Sequence, residues 1–252
     1  MADKPKIMFA TNPNPRNRAL IDGLIPLDGY DFQYVGDRYT PGEMHYRFVQ
    51  GEFDVAEMSL CTLMIMVAKG DDRLIGLPIF PSRAFRHSQI YVNASAGLKS
   101  PKDLMGRQVG IQEYQMTAAV WARGMLADDY GVRAADVEWV QGGLEEPGRI
   151  PFEPAEPAGV TVGFAPADRS LAQMLESGEI DALVTARTPS TFRRGGSAVR
   201  RLFGQPFEVE RDYFRRTGIF PIMHTLVVKK EILEANPWVA FTLFKAFSEA
   251  KD

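Results

Sequence analysis

The stretch that decides the fold is "LIGLPIFPSRAFRHSQIYV", residues 74–92. The apolar run at 74–80 and the apolar run that closes the stretch are typical of two buried strands. Arg83, Arg86 and His87 lie between them, within five positions of one another. Positive charge at this junction indicates that the chain leaves one lobe for another here, at the mouth of a site for an anion.

Strands and helices alternate on both sides of this stretch. We predict strands at 6–10, 30–36, 54–60, 107–111, 137–143 and in the segments "DALVTA" and "HTLVVKK". Helical patterns separate them, among them one at 112–132 that begins near Gln115. The alternation predicts an α/β fold with mostly parallel strands.

The length of 252 residues suits two lobes. We assign 1–92 plus 203–252 to lobe I and 93–202 to lobe II, with a long irregular loop at 144–159. A ligand cleft between the two lobes is the expected place for a small molecule, at the carboxyl ends of strands.

Composition and charge exclude several classes of partner. The formal net charge is −3 and no basic stripe is present, so we expect no nucleic-acid partner. No secretory signal pattern and no apolar run of membrane-spanning length are visible, so we expect a cytoplasmic protein with no membrane partner. The lone Cys61 lies in an apolar stretch and is expected to be a buried hydrophobe. The sequence does not determine the oligomeric state, and a homo-oligomer is one of the states that it leaves open.

Polar side chains follow or interrupt the predicted strands, and the topology would gather them at one cleft. The balance of these residues is cationic, which suits a small anion with two carboxylates. They are Thr11, Asn12, Arg16 and Arg18 after the first strand, Glu57 and Ser59 in the third, Arg83, Arg86 and His87 after the fourth, Tyr114 and Thr117 at a helix start, Arg187, and His224.

Each of these residues also has a purely structural interpretation. The arginines could be surface residues, the histidines satisfied core residues, and Glu57 the partner of an arginine. A helix start such as 114–117 offers free N–H groups to an anion, but it could equally be a plain helix start. His45, His87 and His224 are scattered, and motifs for metals, nucleotides or a nucleophilic serine are missing, so we expect neither metal nor cofactor.

Five segments are informative together: "FDVAEMSL", "LPIFPSRAFRHSQIYVN", "DLMGRQVGIQEYQMTAAVWARGMLADDYGV", "LESGEIDAL" and "RRTGIFPIMHTLVVKK". They resemble the 4,5-dihydroxyphthalate decarboxylase family, and the resemblance spans nearly the whole chain. The resemblance implies a cytoplasmic relative of the type 2 periplasmic-binding-protein-like fold. It also implies a cofactor-independent carboxy-lyase of phthalate degradation that converts 4,5-dihydroxyphthalate to protocatechuate and CO2.

This resemblance gives the candidate residues their roles. Cationic groups must hold two carboxylates, an acid must protonate the ring carbon, and a base must deprotonate or orient the phenol. His87 or His224 is the expected acid, and Glu57 or the other histidine the expected base. The candidates for substrate binding are Arg83, Arg86, Arg187, Tyr114, Thr117 and Ser59.

Two other functions stay open at this point. The chain could be a non-catalytic solute-binding protein for an aromatic or other small carboxylate, because fold does not imply function. It could also be an enzyme of the same fold with a different substrate. The missing export signal, two histidines and a glutamate favour an enzyme, because simple capture of a carboxylate needs fewer titratable groups.

Overall fold

The computed structural model describes residues 4–39, 41–149, 151 and 157–251. Its strands are β1 (Lys6–Ala10), β2 (Asp31–Tyr34), β3 (Val55–Ser59), β4 (Leu74–Arg83), β5 (Ile90–Asn93), β6 (Gln108–Ile111), β7 (Glu138–Gln141), β8 (Val162–Phe164), β9 (Ala182–Val184), β10 (Val199–Arg201) and β11 (Ile222–Lys229). Its α-helices are α1 (Arg18–Ile21), α2 (Pro41–Val49), α3 (Leu60–Ala68), α4 (Thr117–Tyr130), α5 (Leu171–Ser177), α6 (Ser190–Arg193), α7 (Pro206–Thr217), α8 (Lys230–Ala235) and α9 (Trp238–Lys251).

The chain forms two compact units. Unit 1 contains the residues up to Arg83 and those from Ile222 onward, and unit 2 runs from Ala84 to Pro221. These boundaries differ from the lobes assigned from sequence, because 84–92 and 203–221 belong to unit 2. The physical reason is pairing and packing: β5 hydrogen-bonds to β9 and β10, and α7 packs on the short 3-10 helix that precedes β5.

Unit 1 is built on one five-stranded sheet of order β2-β1-β3-β11-β4. β1 pairs in parallel with β2 and β3, whereas β11 runs antiparallel to both β3 and β4. The carboxyl ends of β1, β3 and β4 therefore meet the amino end of β11 at one edge of the sheet, which we call the carboxyl edge of unit 1. The sheet packs against α9 through a buried core that includes Phe9, Val55, Leu226 and Leu243.

Strand β3 has the burial expected of a central strand. All five of its residues are buried, the charged Glu57 among them. A carboxylate without partners would be too costly at such a position, so this residue needs charged or hydrogen-bonding neighbours. The strand thus places one ionisable group inside an apolar sheet, close to its carboxyl edge.

Unit 2 has a six-stranded sheet of order β10-β5-β9-β6-β7-β8. β6, β7, β8 and β9 are parallel to one another, and β5 runs antiparallel to its neighbours. The residues that follow β6 and β9 therefore lie at a second carboxyl edge, that of unit 2. Helix α4 begins at Thr117, two residues after the predicted start, and Gly131 ends it in the left-handed conformation at a φ of 71°.

Of the predicted loop at 144–159, residues 150 and 152–156 lie outside the described residues. Over the ranges given above, no helix combines the length and apolar character that crossing a membrane requires.

Candidate functional site

The carboxyl edge of unit 1 holds a buried glutamate bonded to a histidine. His224 lies on β11 directly opposite Ser59 of β3, and Glu57 lies two residues before Ser59. The Nδ1 atom of His224 is 2.6 Å from Oε1 of Glu57. The Glu57 residue is 1% exposed, whereas the His224 side chain is 23% exposed. The pair, called the dyad below, therefore has a buried acidic end and an accessible imidazole end.

The other carboxylate oxygen of Glu57 is held by the loop that follows β1. Thr11 donates its hydroxyl proton to Oε2 at 2.6 Å, and the Asn12 N–H donates to the same atom at 3.0 Å. Burial alone would raise the pKa of Glu57, but the hydrogen bond and charge of His224, with these two donors, outweigh burial and lower it to about 2. Glu57 is therefore a carboxylate throughout the physiological pH range.

The ionised carboxylate fixes the state of the His224 ring. A carboxylate only accepts hydrogen bonds, so the proton of the neutral imidazole resides on Nδ1. The His224 side chain is partly exposed, and Nε2 is the ring nitrogen that Glu57 does not engage. A histidine oriented in this way can donate or accept a proton at Nε2.

A second imidazole lies next to the dyad. The ring of His45 on α2 is perpendicular to the ring of His224, with 5.2 Å between the ring centroids. From the sequence, His45 is one of three scattered histidines, and no local pattern predicts its position beside His224. The signal for it is indirect: α2 connects β2 to β3 and packs against β3, which carries Glu57.

Ser59 and Arg83, two predicted substrate-binding residues, also lie at the carboxyl edge of unit 1. Ser59 is buried opposite His224. Arg83 ends β4 opposite Ile222, and its exposed guanidinium lies over the Phe80 ring at 5.4 Å from the centroid. The structure therefore brings Glu57, Ser59, Arg83 and His224 to one edge of one unit.

His87 and Arg86 lie in unit 2, inside the fold. His87 is 1% exposed and contacts the rings of Phe203 and Tyr213, each at a centroid distance of 5.3 Å. Within the described ranges, neither of its ring nitrogens has a hydrogen-bond partner. Burial lowers the pKa of His87, and the charge of Glu210 opposes this shift only in part. His87 is therefore a neutral interior imidazole.

Arg86 shares this interior position. It is 6% exposed, and its Nε donates to the Ala84 carbonyl oxygen at 3.3 Å. Burial lowers the pKa of Arg86 to about 10, with Glu210 again acting in the opposite direction. Glu210 accepts the backbone N–H of Ser88 at 2.8 Å, which ties α7 to the segment that carries both residues. The roles of Arg86 and His87 in substrate binding and catalysis stay predictions.

Burial of His87 has a consequence for stability that can be measured. Because its pKa is lowered on folding, the unfolded chain binds more protons, and stability falls as the pH drops below the ordinary histidine value of about 6.5. We expect His87→Gln to reduce the fall in Tm between about pH 7 and about pH 5.5. Met125→Leu, in the same small cavity, should keep the wild-type pH dependence. An equal fall in Tm for wild type and His87→Gln would contradict this account.

The other predicted residues lie near the carboxyl edge of unit 2. Arg187 is exposed and lines a pocket of about 420 Å³ with Gln89, Glu145 and Arg193 among its neighbours. Thr117 is buried at the start of α4.

The Tyr114 ring is buried rather than presented at this edge. The Arg123 guanidinium lies over it at 3.6 Å from the centroid, and Trp139 packs edge-on. Its backbone N–H donates to Gln141 at 2.7 Å, so this part of the helix start is already partnered. Substrate binding by Tyr114, Thr117 and Arg187 stays a prediction.

Comparison with known proteins gives two sequence relatives. The chain is 41% identical over 250 residues to the 4,5-dihydroxyphthalate decarboxylase of Comamonas testosteroni, covering 98% of this chain and 75% of that protein. It is 40% identical over 223 residues to the 4,5-dihydroxyphthalate decarboxylase of Pseudomonas putida, covering 85% of this chain and 86% of that protein. No model of a protein family matches the chain.

Comparison of structures identifies the fold. The periplasmic aliphatic sulphonate binding protein SsuA from Escherichia coli matches 98% of this chain and 72% of its own chain, with a TM-score of 0.59 and 15% sequence identity. This similarity shows a binding-protein-like α/β fold, as the sequence predicts. At this level of identity it carries no information about the ligand.

Proposed function

Because the chain belongs to the 4,5-dihydroxyphthalate decarboxylase family, we propose that it is a carboxy-lyase that converts 4,5-dihydroxyphthalate to protocatechuate and CO2. The single observation that carries this proposal is 41% identity over 98% of the chain to a protein of that name. The dyad of Glu57 and His224 adds a group able to transfer the proton that the reaction consumes.

The reaction needs an electron source and one proton. The hydroxyl para to the departing carboxylate loses its proton, and its electrons move into the ring towards the carbon that bears that carboxylate. This carbon takes a proton and becomes tetrahedral, which leaves a ketone-like, dearomatised ring. When the bond to the carboxylate breaks, CO2 leaves, its bonding electrons restore the aromatic ring, and the phenolate oxygen is protonated again. The net change is the replacement of a carboxylate by hydrogen.

The carboxyl edge of unit 1 suits the proton transfers. We assign the delivery of the proton to the ring carbon to Nε2 of protonated His224. Glu57 is a positioning residue, because its two oxygens are engaged by His224, Thr11 and Asn12. His45 is our candidate for the acceptor of the phenolic proton, because its ring lies beside that of His224.

The substrate-binding residues remain part of this proposal. Arg83 is the predicted arginine on the same edge as the dyad. Arg187 is a second predicted arginine, which lines a pocket of unit 2. Both side chains are exposed, and a guanidinium group can bind a carboxylate through two hydrogen bonds. The cytoplasmic location and any homo-oligomer also stay predictions.

The proposal is tested by assaying the purified chain with 4,5-dihydroxyphthalate. We expect CO2 and protocatechuate in equal amounts, and we expect prior treatment with EDTA to leave turnover unchanged. Binding of the substrate without turnover would contradict the proposal and favour a non-catalytic solute-binding protein. Loss of turnover on chelation, restored by zinc, would contradict the cofactor-independent chemistry.

A further inference from the structure

Arg16, in the loop after β1, donates to a carbonyl oxygen near the carboxyl edge of unit 1 and has no anionic partner among the residues that the structure describes. We propose that Arg16 binds the carboxylate that stays on the ring during decarboxylation, an inference that rests on the proposed function. This residue determines affinity for the substrate and for the carboxylate product, whereas the dyad acts on the carbon that loses CO2.

The loop and the sheet bring the Arg16 guanidinium to the carboxyl edge of unit 1. Its Nη2 donates to the Pro81 carbonyl oxygen at 2.8 Å. Pro81 precedes Ser82, which lies directly opposite His224 in the pairing of β4 with β11. Pro81 is thus one residue and one inter-strand spacing away from His224 on β11. This places the Arg16 guanidinium on the order of 10 Å from the His224 backbone.

Hydrogen bonds within the loop hold Arg16 in place. The Arg16 N–H donates to Oδ1 of Asn14 at 3.0 Å, and the Asn14 N–H donates to Oδ1 of Asn17 at 2.9 Å. Asn17 is buried, and its Nδ2 donates to the Thr11 hydroxyl at 3.2 Å. Because Thr11 donates in turn to Glu57, one ordered loop supports both the carboxylate of the dyad and the cation.

The charge of Arg16 is available to a ligand. A guanidinium has five N–H donors, and the described residues engage only the one that bonds to Pro81. The neighbouring Arg18, by contrast, forms an ion pair with Asp22 at 2.7 Å. An exposed, tethered guanidinium without a carboxylate partner matches the bidentate geometry of a substrate carboxylate.

The chemistry selects which carboxylate Arg16 binds. The departing carboxylate loses its negative charge on the way to CO2, so a cation bound to it would stabilise the substrate more than the transition state. The adjacent carboxylate keeps its charge in substrate, transition state and product. A cation bound there adds equal affinity at every stage and does not slow the reaction.

The test is an Arg16→Gln variant assayed with three ligands. We expect the KM for 4,5-dihydroxyphthalate and the inhibition constant of protocatechuate to rise together by about 10- to 100-fold, the loss of a charge-assisted carboxylate contact. The inhibition constant of catechol, which has no carboxylate, should stay within about twofold, and kcat should change little. Arg16→Lys should recover part of the affinity. The matched control Arg73→Gln, at an exposed arginine of unit 1 that pairs with Asp71, should behave as wild type.

Each other outcome overturns the inference in a distinct way. An equal loss of affinity for all three ligands would mean that Arg16 has a structural role. Catechol has no carboxylate, so weaker binding of catechol would show that the substitution had damaged the site. A raised KM with unchanged protocatechuate affinity would assign Arg16 to the departing carboxylate. Wild-type behaviour of Arg16→Gln would overturn this inference alone, whereas a wild-type protein without turnover would overturn the proposed function together with it.

Discussion

His224→Gln should lower kcat for 4,5-dihydroxyphthalate by about 10²- to 10⁴-fold, the usual size of general acid catalysis. The reason is the geometry of the dyad: Glu57 engages Nδ1, so Nε2 is the atom that can deliver a proton to the ring carbon. Glutamine can occupy the space and form a hydrogen bond, but it cannot supply a proton at neutral pH. Steady-state rates of protocatechuate formation measure the effect.

The variant must retain its fold and its substrate site for this result to count. Far-UV circular dichroism and Tm report the fold, and the inhibition constant of protocatechuate reports the site. We expect this constant to stay within about threefold of wild type, because the proton donor is not the principal carboxylate ligand. A folded His224→Gln protein with the wild-type kcat would remove His224 from the chemistry.

Glu57→Gln should also reduce kcat by about 10²- to 10⁴-fold, although the residue does not contact the substrate. The amide can donate a hydrogen bond to Nδ1, which favours the tautomer with the proton on Nε2 and removes the negative charge beside the imidazolium. Glu52→Gln is the matched control, because Glu52 is an exposed partner of Arg47 in the same unit. We compare kcat of the two variants. A loss of kcat in Glu57→Gln alone is specific to the dyad, whereas a loss in both variants reflects the removal of a negative charge in general.

The contribution of Glu57 to the stability of the fold depends on pH in a defined direction. The pKa of Glu57 is lowered to about 2, so its ionised form stabilises the fold above the ordinary glutamate value of about 4.3, and this stability is lost as the pH falls towards about 2. Between about pH 5 and about pH 8 the carboxylate does not titrate. A Glu57→Gln protein with wild-type activity across that range would show that the carboxylate does not orient His224.

Local sequence patterns predict the central strands of the fold well. The first strand is predicted at 6–10 and observed as Lys6–Ala10, and the strand at 54–60 is observed as Val55–Ser59. Glu57 is recognisable because it interrupts an apolar run, which an unpartnered carboxylate could not do in a central strand. Helix α7 is not among the predicted elements, although Pro206 at its first position and Gly218 after its end are typical boundary residues.

Local sequence patterns do not predict contacts between residues that are far apart in the chain. Glu57 and His224 can each be selected as candidates, but they are 167 positions apart, and only the register of β11 against β3 brings them together. Proximity in sequence is equally unreliable. Arg83 and His87 are four residues apart, yet the boundary between the units falls after Arg83, so one is exposed in unit 1 and the other buried in unit 2.

The most direct test of the central claim is rescue of His224→Ala by imidazole. If Nε2 of His224 delivers the proton, the alanine variant should be nearly inactive, and added imidazole should restore turnover with a saturable concentration dependence. His45 and Glu57 remain in place in this variant, so the restored rate reports the missing proton donor alone. Wild-type turnover by His224→Ala, with no response to imidazole, would contradict the assignment of His224 as the acid of this decarboxylase.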